Sequence, residues 1–295
     1  MKANTLLLVA CLFSAPAFAA NDSAAVAPIV KARALFADPA RTTEATLAFE
    51  KIISVDPACV EARNLLVHLA LRRGEPELAV TLAEKVVALA PDNADCQHTL
   101  GDAYCVAARQ AGIFRALGLG KKGIAAYERT VVLAPDNADY RYSLFEIYRQ
   151  APGFMGGGAD KALVQATALQ KLDDRRGRLA FATLHAADKN YALARKELDE
   201  VLKRSPDDYA ALFQLGRLAV LSGEAVDQGL ASLQRCLELP CPEGSDVPDH
   251  AAVQWRLGNI FEKKASLDAA RAAYEAALKL NPNFSEAADS LKKLK

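Results

Sequence analysis

The sequence predicts an all-α fold, built as a solenoid of repeated helix pairs, from three observations. Apolar residues make up 52% of the chain but aromatic residues only 7%, so small apolar side chains suited to close helix packing dominate. Helix-stopping prolines recur at a fixed interval of 34 residues, from Pro57 to Pro91 and from Pro206 to Pro240. A small residue stands 12 positions before each stop, and an apolar or aromatic residue follows it four positions later.

This small-residue register defines the individual repeats. A small side chain lets two helices approach closely, and the residue four positions later lies on the same face and fills the groove between them. The complete copies are Ala45-Phe49-Pro57, Ala79-Ala83-Pro91, Gly123-Tyr127-Pro135, Ala194-Leu198-Pro206 and Ala270-Tyr274-Pro282, and the degenerate copies are Ala162-Ala166-Asp174 and Gly229-Leu233-Cys241. Upstream stand the matching pairs Leu100-Gly101, Leu144-Phe145, Leu215-Gly216 and Leu257-Gly258.

These positions resemble the tetratricopeptide repeat (TPR) family, whose pattern runs W-x2-L-G-x2-Y, then A-x3-F, then P. The copy from Ala251 to Pro282 carries every position except the leading Trp, where Gln254 stands. The resemblance covers about residues 30–295 and implies a right-handed α-solenoid of antiparallel helix pairs, A then B. The stretch 151–158 (APGFMGGG) also resembles a group of exported bacterial TPR proteins. That second resemblance implies the fold and no particular chemistry.

Residues 1–19 have the features of a secretory signal peptide. Lys2 gives a basic start, an apolar run follows from Leu6 to Phe13, and Ala17-Phe18-Ala19 has the small-x-small pattern of a cleavage site. In the alternative reading, the run ending at Cys11 is a lipobox and Cys11 becomes a lipidated N-terminus. Both readings predict export, and the style of the signal indicates a bacterial periplasm. No other stretch reaches the roughly 18 apolar residues of a membrane span, so none is expected.

The rest of the chain, 20–295, is predicted to form one TPR solenoid. The predicted repeats are 26–57, 58–91, 92–135, 136–174, 175–206, 207–241 and 251–282, followed by a capping helix over 283–295. Extra residues at 107–122 and 151–160 fall between helix A and helix B of adjacent repeats, and a third excess occupies 241–249. We expect the first two to be neighbouring loops, because insertions in repeat proteins map to loops on one face.

The two expected loops carry apolar side chains that loops ordinarily avoid. These are Ile113, Phe114, Leu117, Phe154 and Met155, together with Leu119. They either pack on each other and extend the core or form a ledge that binds a partner, and we favour packing because soluble monomers rarely expose apolar patches. The triple glycine 156–158 is not followed by Lys-Ser/Thr or preceded by a strand, so it does not predict a phosphate loop.

The inner face of the A helices is the predicted partner-binding surface. In a TPR solenoid these helices line the groove, and residues at i, i+3 or i+4, and i+7 share one face. Counting from the Leu-Gly pairs selects His98, Asp102, Tyr142, Glu146, Arg149, Phe213, Arg217, Trp255, Asn259 and Glu262, with Cys105 beside the first two. Aromatic residues and arginine dominate binding hot spots. Only Arg217 and Asn259 loosely match the family's carboxylate clamp, so binding of a C-terminal carboxylate is not supported.

No pattern in the sequence predicts catalysis, a metal or a cofactor. The four histidines lack partners at metal-ligand spacing, and no nucleophile signature occurs. Lys+Arg and Asp+Glu both number 36, so no net field attracts nucleic acid. Five cysteines follow the signal peptide, and Cys236 with Cys241 is the best candidate disulfide. The alternative is that Cys236 is a small buried residue at a helix crossing.

The sequence therefore favours a non-catalytic, exported scaffold that binds a protein or peptide in its groove. The alternative is a self-associating subunit of a cell-envelope or secretion complex that uses the apolar insert residues. A third reading is an accessory that positions another protein's catalytic domain. The sequence favours no particular oligomeric state and names no partner.

Overall fold

The regular elements of the protein are helical throughout the described residues. The computed structural model describes residues 22–241 and 248–294, so the predicted signal peptide and Cys11 lie outside them. The α-helices are α1 (Asp22–Ala37), α2 (Thr42–Val55), α3 (Val60–Arg72), α4 (Pro76–Leu89), α5 (Ala94–Gln110), α6 (Ile113–Leu133), α7 (Ala138–Gln150), α8 (Ala159–Leu172), α9 (Asp174–Ala187), α10 (Tyr191–Arg204), α11 (Tyr209–Ser222), α12 (Val226–Glu238), α13 (His250–Lys263), α14 (Leu267–Leu280) and α15 (Ser285–Lys293). Two short 3-10 helices, Pro39–Arg41 and Gly153–Met155, complete the set. The all-α fold class is confirmed.

The helices follow the predicted repeats in pairs. Each predicted repeat holds one A helix and one B helix, from α1 and α2 in the first to α13 and α14 in the last, and α15 occupies the predicted cap. The chain divides between Ala111 and Gly112 into two compact units. We call them the N-terminal unit and the C-terminal unit. One continuous solenoid across both stays a prediction.

Local sequence sets the helix ends. The prolines Pro91 and Pro135 follow α4 and α6, because a proline supplies no backbone donor to continue the helix. Two residues after each of these prolines stands an asparagine that caps the next A helix. The Asn93 side chain accepts from the Cys96 backbone N–H at 3.1 Å, and the Asn137 side chain accepts from Tyr140 at 3.1 Å. Such caps satisfy N–H groups that would otherwise lack a partner at the helix start.

The small-residue register forms the core, as the sequence predicts. The small residues Ala45, Ala79, Ala162, Ala194 and Ala270 are all completely buried. Several residues four positions later are buried with them, including Phe49, Leu198 and Tyr274. Close helix approach at an alanine and filling by the following large side chain therefore explain the packing of each repeat.

The first insertion is not a loop, which corrects the sequence prediction. Its residues lengthen the two helices, since α5 continues to Gln110 and α6 begins at Ile113. Only Ala111 and Gly112 separate the helices. The segment contains no proline between 107 and 122 and is rich in residues that tolerate helix, so the helical ladder continues through it.

The second insertion is a short turn that depends on its glycines. Gly156 and Gly158 have φ angles of +102° and +132°, a region that residues with a side chain rarely adopt. A Cβ on Gly157 would lie 2.1 Å from the Ala151 carbonyl oxygen. The Gly158 N–H closes the turn by donating to the Tyr148 carbonyl at 2.8 Å. Turn geometry explains the triple glycine without a phosphate.

Candidate partner-binding face

The A helices of the C-terminal unit present one recurring surface position. In α7, α11 and α13 the residue directly after the buried Leu-Phe or Leu-Gly pair is Glu146, Arg217 and Asn259, respectively. Each of these side chains is half-buried. The three residues therefore mark equivalent points on three repeats, although α9, which lies between α7 and α11 in the chain, has no such pair. The surface around them is the candidate site.

Glu146 and Arg149 form an internal ion pair on α7. The Arg149 guanidinium donates to the Glu146 carboxylate at 2.5 Å, and both side chains are half-buried. Gln150 Nε2 also donates to Glu146, at 2.9 Å. This pair is locally neutral, because its one negative charge balances its one positive charge. Tyr142, also half-buried, packs on Phe145 with the ring centroids 5.9 Å apart.

Arg217 is the exceptional residue of this face. It is half-buried on α11 and, within the described residues, makes no hydrogen bond and no ion pair. Burial lowers the pKa of its guanidinium, the positive charge of Arg149 lowers it further, and the charge of Glu146 partly opposes both effects. Its nitrogens still reach solvent, so the charge is partly desolvated, which is unfavourable when no protein group pairs with it.

Arg256 on α13 extends the same charged region, and the sequence analysis missed it. Its guanidinium stacks 4.2 Å from the Trp255 ring centroid, and its Nη1 donates to Asn259 at 3.3 Å. Its Nε is buried with no hydrogen-bond partner. Burial, followed by the charge of Arg217, lowers the pKa of Arg256 to about 10. Its i, i+3 spacing from Asn259 is the sequence signal that identifies it.

Four predicted face residues stabilise repeat packing instead. Phe213 is only 9% exposed and belongs to the core between α11, α12 and α13. Trp255 Nε1 donates to Ser290 on the capping helix at 3.1 Å, and its ring contacts Phe284 edge-on. Asn259 donates to the Tyr274 hydroxyl, and this hydroxyl donates to Glu262 at 2.5 Å. Phe213 is therefore wrong as a surface residue, and Trp255, Asn259 and Glu262 are already engaged within the unit.

His98 and Asp102 belong to the N-terminal unit. Both lie on α5, one turn apart, with His98 Nδ1 and an Asp102 carboxylate oxygen separated by 3.4 Å. Their side chains are half-buried. They form a polar pair of the N-terminal unit, and their role in binding a partner stays a prediction. Cys105, on the same helix, is buried.

The insert residues divide into exposed and half-buried ones. The exposed fraction is 81% for Ile113, 92% for Phe114 and 71% for Phe154. The expected packing of these three side chains on each other is therefore wrong. Leu117 and Met155 are half-buried. Met155 lies against α6 at Gly120, where an added Cβ would meet its Cε at 2.3 Å.

Cys236 and Cys241 are not joined to each other, so the candidate disulfide is not formed. The Cys236 thiol is buried beneath α11 and donates to the Tyr209 carbonyl at 3.6 Å, while Cys241 is exposed beyond the end of α12. Burial raises the pKa of Cys236 to about 12, with a smaller contribution from Asp208. A thiol with so high a pKa stays protonated and is a poor nucleophile.

The described residues show two further absences. Nowhere among them do three or more His, Cys, Asp or Glu side chains gather in a way that could hold a metal ion. None of the described helices combines the length and apolar character that a membrane crossing requires.

Sequence profiles decide the family. A tetratricopeptide repeat profile matches residues 251–284, and a second profile of the same description matches 31–94 and 179–240. The chain belongs to the tetratricopeptide repeat family. TPR proteins are generally non-catalytic scaffolds that bind other proteins. Among curated proteins, none matches this chain in sequence.

Solved structures share the fold at low sequence identity. A TPR protein from Parabacteroides merdae is 16% identical, with 92% of this chain and 99% of that chain covered and a TM-score of 0.70. The Cut9–Hcn1 hetero-tetramer of the APC/C matches at 17% identity, 93% and 57% coverage and a TM-score of 0.55. Pseudomonas aeruginosa pilF matches at 14% identity, 79% and 96% coverage and a TM-score of 0.51. At these identities the likeness shows the fold alone.

Proposed function

We propose that this protein is a non-catalytic, exported scaffold that binds a protein or peptide partner on the A-helix face of its C-terminal unit. The observation that carries the proposal is Arg217, a half-buried arginine on that face with no hydrogen bond or ion pair in the described structure. Arginine is enriched among binding hot spots, and a partner group that pairs with a desolvated guanidinium contributes strongly to affinity.

The family supports protein binding as the general activity. Cut9, one of the similar structures, was solved in a complex with Hcn1. That property is Cut9's, and it supports the use of this fold as a binding surface here. The features of residues 1–19 support export, with the periplasm as the compartment and Cys11 lipidation as the alternative.

Site-specific crosslinking tests the location of the partner. A photo-reactive amino acid at Tyr142, on the proposed face, should trap the partner in envelope extract. The same group at Lys196, exposed on the B helix α10, is the matched control and should trap none. The same protein with the photo-reactive group at Tyr142 and the additional substitution Arg217→Glu should no longer form this crosslink. Equal adducts from both positions would place the contact elsewhere.

Self-association is a second candidate function, favoured by the exposure of Ile113, Phe114 and Phe154. Exposed apolar clusters on soluble proteins mark interaction surfaces. In this reading the protein is a structural subunit of an envelope or secretion complex, and the apolar residues contact a second copy.

We expect Phe114→Asp to leave the free energy of unfolding within about 0.5 kcal/mol of wild type, because the ring contributes little to the core. If the ring mediates self-association, light scattering after size exclusion should show the larger species disappear. Leu267→Asp is the matched control, since Leu267 is also exposed at a helix start. A purely monomeric wild-type protein at all concentrations would refute this candidate.

A further inference from the structure

Arg217 and Arg256 lie on α11 and α13, two A helices that contact each other directly. The positive charge of Arg149 acts on Arg217, and the positive charge of Arg217 acts on Arg256. The negative charge of Glu146 opposes them at Arg217, but Glu146 already forms an ion pair with Arg149. Two guanidinium groups, Arg217 and Arg256, are therefore left without a carboxylate in the described part of the chain.

Neither of these two arginines is needed to hold the fold together electrostatically. Arg217 has no partner, and Arg256 has a single hydrogen bond to the Asn259 side chain, while its Nε is buried and unsatisfied. Several other arginines of the same unit have carboxylate partners, whereas Arg141 donates to the Gln165 side chain and the Pro135 carbonyl, and Arg271 donates to the Leu294 carbonyl. Arg178 pairs with Asp174 and Glu197, and Arg235 pairs with Asp207 and Glu238. Arg217 differs from all four of these in having neither a carboxylate nor any other hydrogen-bond partner in the described residues.

We propose that Arg217 and Arg256 bind the carboxylate side chains of an acidic segment of the partner protein. This inference rests on the proposed function and adds the chemistry of the bound segment. A guanidinium donates two parallel hydrogen bonds to one carboxylate, so each arginine is suited to one Asp or Glu. The Glu146–Arg149 pair on α7 is neutral overall, so it leaves the charges of Arg217 and Arg256 uncompensated.

Internal carboxylates fit better than a phosphate or a chain terminus. A phosphate group carries about two negative charges, which Glu146 would repel more strongly than a singly charged carboxylate. The side-chain amide of Asn259, at the family's clamp position, is directed to the Tyr274 hydroxyl. Because this amide is already engaged, the acidic segment of the partner does not need a free C-terminal carboxylate to bind.

A built-in reporter makes the test direct. Trp255 is the one tryptophan of the chain, and the Arg256 guanidinium stacks on its ring. The probe is a glutamate-rich peptide with an amidated C-terminus, added to the full mature chain while Trp255 emission is recorded. We expect a saturable change with the glutamate peptide, none with its glutamine counterpart, and weakening as salt is raised.

The matched variants are Arg217→Met and Lys196→Met, which remove one positive charge each. Lys196 is exposed on α10, away from the A-helix face. We expect Arg217→Met to weaken the glutamate peptide about thirtyfold, as for a central hot-spot residue, and Lys196→Met to leave its affinity unchanged.

A stability readout provides an independent check without any peptide. Replacing an unpaired, half-buried charge with an apolar side chain of similar length relieves its desolvation. Arg217→Met should therefore melt about 2–4 °C higher than wild type, while Lys196→Met should not change. A residue retained only for folding would show the opposite shift.

Several results would overturn the inference. These are equal binding of the glutamate and glutamine peptides, binding of a phosphopeptide alone, dependence on a free C-terminus, or a lower melting temperature for Arg217→Met. If the glutamate peptide does not bind while the Tyr142 crosslink still traps a partner, recognition of carboxylate side chains is refuted and the proposed binding face is supported. If both fail, the proposed function is wrong as well.

Discussion

Replacing Tyr274 with alanine should lower the free energy of unfolding by about 4 kcal/mol, as for other fully buried aromatic residues. The ring is completely buried between α13 and α14 and fills the space above Gly258. Its hydroxyl accepts from Asn259 and donates to Glu262, so the truncation also removes two hydrogen bonds between the helices of one repeat. Chemical denaturation followed by helicity measures the loss.

The matched control is Leu280→Ala on the same helix. Leu280 is exposed near the end of α14, so its truncation should change stability by less than about 0.5 kcal/mol. Because each repeat contacts mainly its neighbours, the loss at Tyr274 should appear first as early unfolding of the C-terminal repeats. A loss below about 1 kcal/mol at Tyr274 would show that the repeat register is wrong.

The small-residue register identified buried core positions because the packing of each helix pair is local. A small residue followed four positions later by a large one dictates a helix crossing within a single pair, as at Ala194 and Leu198 or Ala270 and Tyr274. The information needed for each crossing lies within about 34 residues. The spacing of a small and a large residue within one repeat therefore identifies core positions without knowledge of the rest of the chain.

The structure of the insertions was harder to predict, because a longer helix and an inserted loop add the same number of residues to a repeat. Ten extra residues between Ala107 and Lys122 fit either a loop or longer helices. The loop was expected because insertions in repeat proteins map to loops, but here the extra residues continue the helices, whose hydrogen bonds offset the modest cost of Gly118 and Gly120. The second insertion, with three consecutive glycines and a proline, does interrupt the helix.

The binding face was predicted only in part, because side-chain partners come from neighbouring elements. Spacing placed Trp255 on the inner register, but Ser290 and Phe284 of the capping segment cover that position. Arg256, one residue along, remains on the face with an unsatisfied Nε. Helical periodicity predicts which residues share a face of the helix, with an error of about one position. Contacts from the next repeat then decide which of these side chains is covered.

A methyl group added at Gly258 should destabilise the protein by about 2 kcal/mol, although Gly→Ala in a helix interior ordinarily stabilises. The new Cβ would lie 2.2 Å from Tyr274 Cε1, well inside van der Waals contact. The Tyr274 ring is fully buried, and its hydroxyl is held by Asn259 and Glu262, so it has little freedom to move aside.

Gly118 provides the same substitution in open space. It lies inside α6, and an added Cβ there would meet nothing within 4 Å. Gly118→Ala should therefore raise the free energy of unfolding by about 0.5–1 kcal/mol, the usual gain in helix propensity. The two variants carry one identical chemical change, so opposite signs in one denaturation experiment isolate the packing contribution of the Leu-Gly position. A gain at both sites would mean that Gly258 is not at a close helix crossing, and a loss at both would mean that α6 is not helical through Gly118.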